Sequence, residues 1–202
     1  MSAPRPGAVA SLSFDLSALV RRSVATLYSH LVTRPTGRAL RVGIESQLEE
    51  LGGPALSILD FRQVVVLDYS CADEIVARLL RRFQGDDRPA DVYFLARGIA
   101  ERHREPIEEV LLRHGLALVA ELEAGDVALL GHAPDLQRTA WTALEQLGRA
   151  QAAQVAAAIA APTGETAAAL VALADRRVAL PGRAAAPYVA LTALLRDEAG
   201  GA

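Results

Sequence analysis

The chain has 202 residues, is 51% hydrophobic, and carries 21 arginines and no lysine against 24 acidic residues, for a net charge of −3 and a pI of about 5.8. That length holds one large domain or two small ones with real cores, and the charge balance lacks the signature of a protein whose main partner is nucleic acid or an acidic membrane. A single cysteine excludes an internal disulfide. No apolar run approaches the ~18 residues of a membrane span, and MSAPRPGAVA lacks the apolar core of a signal peptide, so a cytoplasmic protein is expected.

Residues 1–10 are rich in Pro, Gly and Ala and are expected to be a disordered tail, with Ser11–Asp15 opening the fold as a short edge strand. Leu16, Leu19, Val20, Val24, Leu27, Tyr28 and Leu31 then give a helical stripe over Leu16–Val32. Pro35 disfavours helix at Arg34, so a second helix is expected to start near Thr36, carry Leu40, Ile44, Leu48 and Leu51 inward, and stop at Gly52-Gly53-Pro54.

The central stretch is Leu56–Phe83. Val64–Leu67 reads as a strand covered on both faces. The period then changes, and Ala72, Ile75, Val76, Leu79, Leu80 and Phe83 mark one face of a helix. The junction between them is Asp68-Tyr69-Ser70-Cys71-Ala72-Asp73-Glu74, the kind of place where ligands and partners of open α/β sheets collect. Asp91–Ala96 is a further buried strand, Arg104–His114 a helix stopped by Gly115, and Leu116–Leu122 with Asp126–Leu130 a hairpin turning at Glu123-Ala124-Gly125. Strands alternating with helices predict an α/β domain over residues 11–132.

The remainder, 133–196, reads as a small, mainly α domain, with a short tail over 197–202. Helices are expected over Leu136–Leu147, Ala150–Ala161 and Glu165–Arg177, then a two-stranded wing from Val178–Leu180 and Tyr188–Leu191. Three helices and a hairpin resemble a winged helix-turn-helix. Its DNA-facing residues would be Thr163, Thr166, Arg176, Arg177 and Arg183. Residues 135–202 hold six arginines and six acids, and the helix that would read DNA opens on Glu165, which favours protein interaction or a homodimer through the alanine-rich helices over nucleic acid.

Four segments of the first domain carry a family resemblance. Thr33-Arg34-Pro35-Thr36-Gly37-Arg38-Ala39-Leu40-Arg41, then Leu59-Asp60-Phe61, Val66-Leu67-Asp68 and Ser70-Cys71-Ala72-Asp73-Glu74 resemble the STAS-like domains of bacteria, relatives of anti-sigma factor antagonists. The resemblance implies a signalling adaptor rather than an enzyme, whose partner is a histidine-kinase-like ATPase or an anti-sigma-type protein. It also implies that Ser70 matches the phosphate-accepting serine and Asp68 the aspartate before it, while Tyr69 and Cys71 stand where antagonists have Ser and Gly.

Each site residue has a second reading. Ser70, with Asp73 three residues on, suits a plain capping box. Cys71 is either a reactive thiol in a first helical turn or a small buried filler, and the five-residue spacing to an arginine that a phosphatase loop needs is absent. Asp68, Asp73 and Glu74 suit a helix dipole as well as a partner or cation. Arg34, Arg38 and Arg41 line one side of a helix, as a phosphate or acidic-partner surface or as a solvated face. The four histidines show no metal spacing, no nucleotide or hydrolase motif is present, and neither metal nor cofactor is expected.

Overall fold

The computed structural model describes residues 21–51, 54–85, 87–182 and 186–199, with side chains from Ser23 to Arg196. The expected N-terminal tail, the strand at Ser11–Asp15 and Arg183 lie outside these residues. The fold is α/β. Its main sheet has the order β1-β3-β5-β6-β7, from β1 (Arg21–Thr26), β3 (Ala55–Asp60), β5 (Val92–Ile99), β6 (Ala117–Leu122) and β7 (Val127–Gly131). The first four run parallel and β7 returns antiparallel beside β6.

Alternation along the strands builds two cores. Leu59, Phe94, Ala96, Leu118 and Ala120 face α1 (Arg34–Glu50), α4 (Glu101–Arg113) and a long helix formed by α2 (Tyr69–Ala72), a π-helical stretch Asp73–Arg78 and α3 (Leu79–Gln84). Leu56, Ile58, Tyr93, Leu95 and Val119 face the other way, onto the C-terminal unit. That unit consists of α5 (Asp135–Leu147), α6 (Ala152–Ala158), α7 (Thr163–Asp175) and α8 (Ala193–Ala199), with a three-stranded sheet of order β8-β10-β9. Its strands are β8 (Arg149–Ala150), β9 (Ala179–Leu180) and β10 (Tyr188–Ala190). Trp141, Leu144, Leu170 and Leu173 join the second core, so the sheet is closed on both faces.

The apolar stripe from Ala72 to Phe83 is wholly buried, as its spacing predicts, and Phe83 meets Phe94 edge-on at 5.6 Å. The hairpin turn has Gly125 at φ +95°. Gly115 stops α4 at φ +64°, and the Leu116 amide closes back on the Leu111 carbonyl at 2.8 Å.

Four expectations are corrected. The stripe over Leu16–Val32 is not a helix in its described part: Arg21–Thr26 is β1, paired along its length with β3, because the edge of a parallel sheet offers this segment more than an isolated helical face does. Val64–Leu67 is not the central strand. Val65 and Val66 are 52% and 41% exposed, and only Val66–Leu67 forms β4, a short parallel pair with β2 (His30–Leu31). The buried strand is β3, which ends at Asp60, before Val64–Leu67 begins. Finally, α1 begins at Arg34, because Thr33 caps it and Pro35 sits in the first turn, where its missing N–H costs nothing. At the other end of the chain, α8 runs to Ala199, into the segment expected as a tail.

Candidate functional site

The chain leaves β3 at Asp60, whose carboxylate takes the Arg62 amide at 3.1 Å and its guanidinium Nε at 2.9 Å, turning the chain out of the sheet. Arg62 holds the Asp60 carboxyl below its ordinary range. Val65 then donates to the Ser29 carbonyl at 2.7 Å and Asp68 to the Leu31 carbonyl at 2.9 Å. The loop before α1 and the loop before α2 are thereby tied side by side.

Asp68, rather than Ser70, caps the helix that follows. Its Oδ1 accepts from the Ser70 amide at 2.7 Å, the Cys71 amide at 3.2 Å and the Ser70 hydroxyl. The Ser70 hydroxyl bond leads the effects that lower the Asp68 pKa. Sequence reasoning gave the cap to Ser70 because serine and an acid three residues on fit a capping box; an aspartate two residues earlier does the same work with a charge. Ser70 is half-buried and Tyr69 is exposed beside it.

Cys71 is enclosed. Burial pushes its thiol pKa up, and its Sγ donates to the Thr33 carbonyl at 2.9 Å. This is the filler reading: a raised thiol with no solvent access is neither a nucleophile nor a partner contact.

Asp73 and Glu74, expected as helix-dipole partners or as contacts for a partner or cation, are buried. The π-helical stretch widens the inward face, so that Asp73, Glu74, Ile75, Val76 and Ala77 are all covered. Arg34 Nη1 reaches Asp73 at 2.8 Å and Glu74 at 2.9 Å, Arg78 Nε reaches them at 3.0 and 3.3 Å, and Arg41 Nε reaches Glu74 at 3.1 Å. His114, from the end of α4, meets Asp73 at 3.1 Å, and Arg41 also holds Glu45 at 2.6 Å. Burial alone would raise the Asp73 carboxyl; hydrogen bonds from Arg34, Arg78 and His114 outweigh it and hold it at about 2. Asp73 therefore stays ionised, and together with Glu74 it locks α1, the junction helix and α4. These bonds occupy the acids, which leaves them no role as free partner contacts.

Arg34, Arg38 and Arg41 do share one side of α1, as their spacing predicts, and with Pro35, Glu74 and Arg78 they line an open cleft of about 480 Å³. An adjoining cleft of about 380 Å³ is lined by Arg41, Arg78, Arg81, Arg82 and His114. Sequence reasoning missed Arg78, Arg81, Arg82 and His114. The signal available was the i, i+4 spacing of Glu74 and Arg78; nothing local links residue 34 to residue 73.

Of the residues assigned to DNA, Thr166 is buried with its hydroxyl on the Pro162 carbonyl at 3.0 Å. Arg176 donates to the Gly115 carbonyl at 3.0 Å and to that of His132. Arg177 is buried, pairs with Asp91 and lies 4.9 Å from the Tyr93 ring centre. Arg176 and Arg177 tie the C-terminal unit to the sheet and its flanking turns, Thr166 is spent within its own helix, and Thr163 is the exposed member of the described set.

No single described helix is long and apolar enough to cross a membrane. No group of histidine, cysteine or acidic side chains among the described residues is arranged to hold a metal ion. No protein-family model matches the chain, and no match to a curated protein was found.

Proposed function

We propose that this protein is a non-enzymatic, cytoplasmic signalling adaptor of the STAS-like kind, which binds a histidine-kinase-like ATPase or an anti-sigma-type protein through the surface around Asp68, Tyr69 and Ser70. One observation carries the reading beyond the sequence resemblance. The β2–β4 pairing gathers exposed apolar side chains beside the junction: Tyr28 and Val32 flank β2, while Val65, Val66 and Tyr69 come from β4 and its ends. Scattered exposed apolar residues are ordinary, but five on two strapped loops next to a half-buried serine form a surface suited to a protein.

Phosphorylation of Ser70 would act on the cap. The hydroxyl loses its proton, its oxygen bonds the γ-phosphorus of ATP, and ADP leaves. The dianion then stands against the Asp68 carboxylate that had accepted the hydroxyl, and like-charge repulsion breaks the cap and alters the partner surface. Cys71, Asp73 and Glu74 hold the helix in place from within, and Arg34 borders the junction.

The test is incubation with ATP and the ATPase-fold kinase encoded nearest this gene, read by mass spectrometry and by calorimetric binding. One phosphoryl group is expected on the wild type and none on Ser70→Ala, and Val65→Asp should weaken partner binding about tenfold or more. Equal modification of Ser70→Ala would remove Ser70 from the mechanism.

A further inference from the structure

The two arginine-lined clefts share a wall made by Arg41 and Arg78. Six arginines meet there, Arg34, Arg38 and Arg41 from α1 and Arg78, Arg81 and Arg82 from the junction helix. Facing them are four carboxylates, Glu45, Glu49, Asp73 and Glu74, which leaves two positive charges in excess. The excess has an address. Arg34, Arg41, Arg78 and Arg82 each hold an acid, whereas Arg38 and Arg81 have no hydrogen-bond or ion-pair partner among the described residues. One of these free guanidinium groups lines each cleft.

The paired arginines matter too. Asp73 and Glu74 are enclosed and cannot swing away, so they hold Arg41 and Arg78 along the shared wall and Arg34 beside it, which lowers the ordering cost when a ligand arrives. A guanidinium bound to a carboxylate on one edge retains N–H donors on the other. The linings hold no Phe, Tyr or Trp, the imidazole of His114 is their single ring besides Pro35, and Pro35 is their single apolar side chain. Such a surface offers little to an acyl chain, and its main chemistry is charge.

We infer that this groove binds a small anion carrying linked phosphoryl groups, seated across the Arg41–Arg78 wall with Arg38 neutralising one end and Arg81 the other. Arginine is the side chain best matched to phosphate oxygens, and the two free cations lie in adjoining clefts, so a chain of linked phosphates suits the pair better than a single phosphate does. The inference is independent of the partner surface at Tyr69 and Ser70, because Arg38 and Arg81 lie outside it.

Calorimetric titration of the full chain at low salt with inorganic triphosphate, and in parallel with orthophosphate, tests this. Triphosphate is expected to bind at least about tenfold more tightly than orthophosphate, with affinity falling as salt rises. Arg38→Gln/Arg81→Gln should lower triphosphate affinity about tenfold or more, and it removes no ion pair of the folded chain, so its denaturation midpoint should match the wild type. Arg88→Gln, outside both clefts, should bind as the wild type does. Equal affinity for the two anions, or unchanged triphosphate binding by the double variant, overturns the inference. Neither result bears on phosphorylation at Ser70, which is read separately.

Discussion

The Ser70 hydroxyl donates to the same Asp68 oxygen that caps the helix through the Ser70 and Cys71 amides. One carboxylate oxygen thus anchors the helix start and the candidate phosphate acceptor together. Asp68→Ala leaves two amides without their cap and is expected to cost about 1–2 kcal/mol in urea denaturation, while Asp68→Asn, which still offers an acceptor, should cost less. Ser70→Ala removes a hydroxyl that accepts no amide and should cost less than Asp68→Ala. If Ser70→Ala proves the more damaging, the cap is assigned to the wrong residue.

Glu74 is the more consequential acid. It is 2% exposed and is shared by Arg34, Arg41 and Arg78. Removing it as Glu74→Ala leaves Arg34 and Arg78 on Asp73 and Arg41 on Glu45, all three still paired and partly solvated, so the loss is that of the charge-assisted hydrogen bonds to Glu74, about 1.5–3 kcal/mol. The expectation is a loss of stability of that size by chemical denaturation, with the far-UV spectrum preserved in whatever fraction folds.

Asp73 gives the pH dependence. Its folded carboxyl titrates at about 2, below the ordinary value of 3.8. A depressed carboxylate contributes stability that is fully present above the unfolded value and is lost as pH falls from near 4 toward 2, an effect of roughly 2 kcal/mol for this displacement. Urea midpoints measured at pH 6 and pH 2.5 should therefore fall further for the wild type than for Asp73→Asn, which carries no titrating group there.

Gly37 shows why the arginine face of α1 can reach those acids. A Cβ at Gly37 would stand 3.0 Å from the Cys71 Cα and 3.1 Å from the Glu74 Cβ, so only glycine lets α1 and the junction helix approach this closely. Alanine is the better helix former by about 1 kcal/mol, yet Gly37→Ala should destabilise by about 1–3 kcal/mol through overpacking. Gly43 on the same helix has open space around its Cα, and Gly43→Ala should stabilise. Opposite signs at two glycines of one helix, read by thermal denaturation, make the check.

What the sequence showed clearly was periodicity. The stripe from Ala72 to Phe83, the hairpin at Gly125 and the stop at Gly115 rest on local chemistry and are seen in the structure. What it hid was pairing at a distance. Val64–Leu67 looks like a buried strand, but Phe61 and Val64 enter the core while Val65 and Val66 do not, and only the neighbouring Ser29 loop determines which. Likewise the spacing of Arg34, Arg38 and Arg41 revealed a face, whereas Asp73 and Glu74 lie 39 and 40 residues from Arg34 and nothing local marks them as its partners. The π-helical stretch is equally silent, since it arises from what the helix packs against.

Arg177 supplies the last prediction. It follows α7 at φ +61°, the left-handed position where glycine is usual, with its own amide on the Ala174 carbonyl at 3.0 Å and the Val178 amide on the Leu173 carbonyl at 3.1 Å, as in a Schellman motif. An arginine stands there because its side chain pairs with Asp91 and lies over Tyr93, fastening the C-terminal unit to the sheet. Arg177→Ala loses the pair and the ring contact and keeps the backbone strain. Arg177→Gly loses the same contacts but relieves the strain, worth about 1–2 kcal/mol at a left-handed residue. Glycine should therefore be the milder substitution, the reverse of its rank in a helix interior. Fluorescence of Trp141, the chain's single tryptophan and part of the core beneath the C-terminal unit, follows unfolding of both variants. A glycine variant less stable than the alanine variant would mean that the backbone at residue 177 relaxes once the clasp is gone.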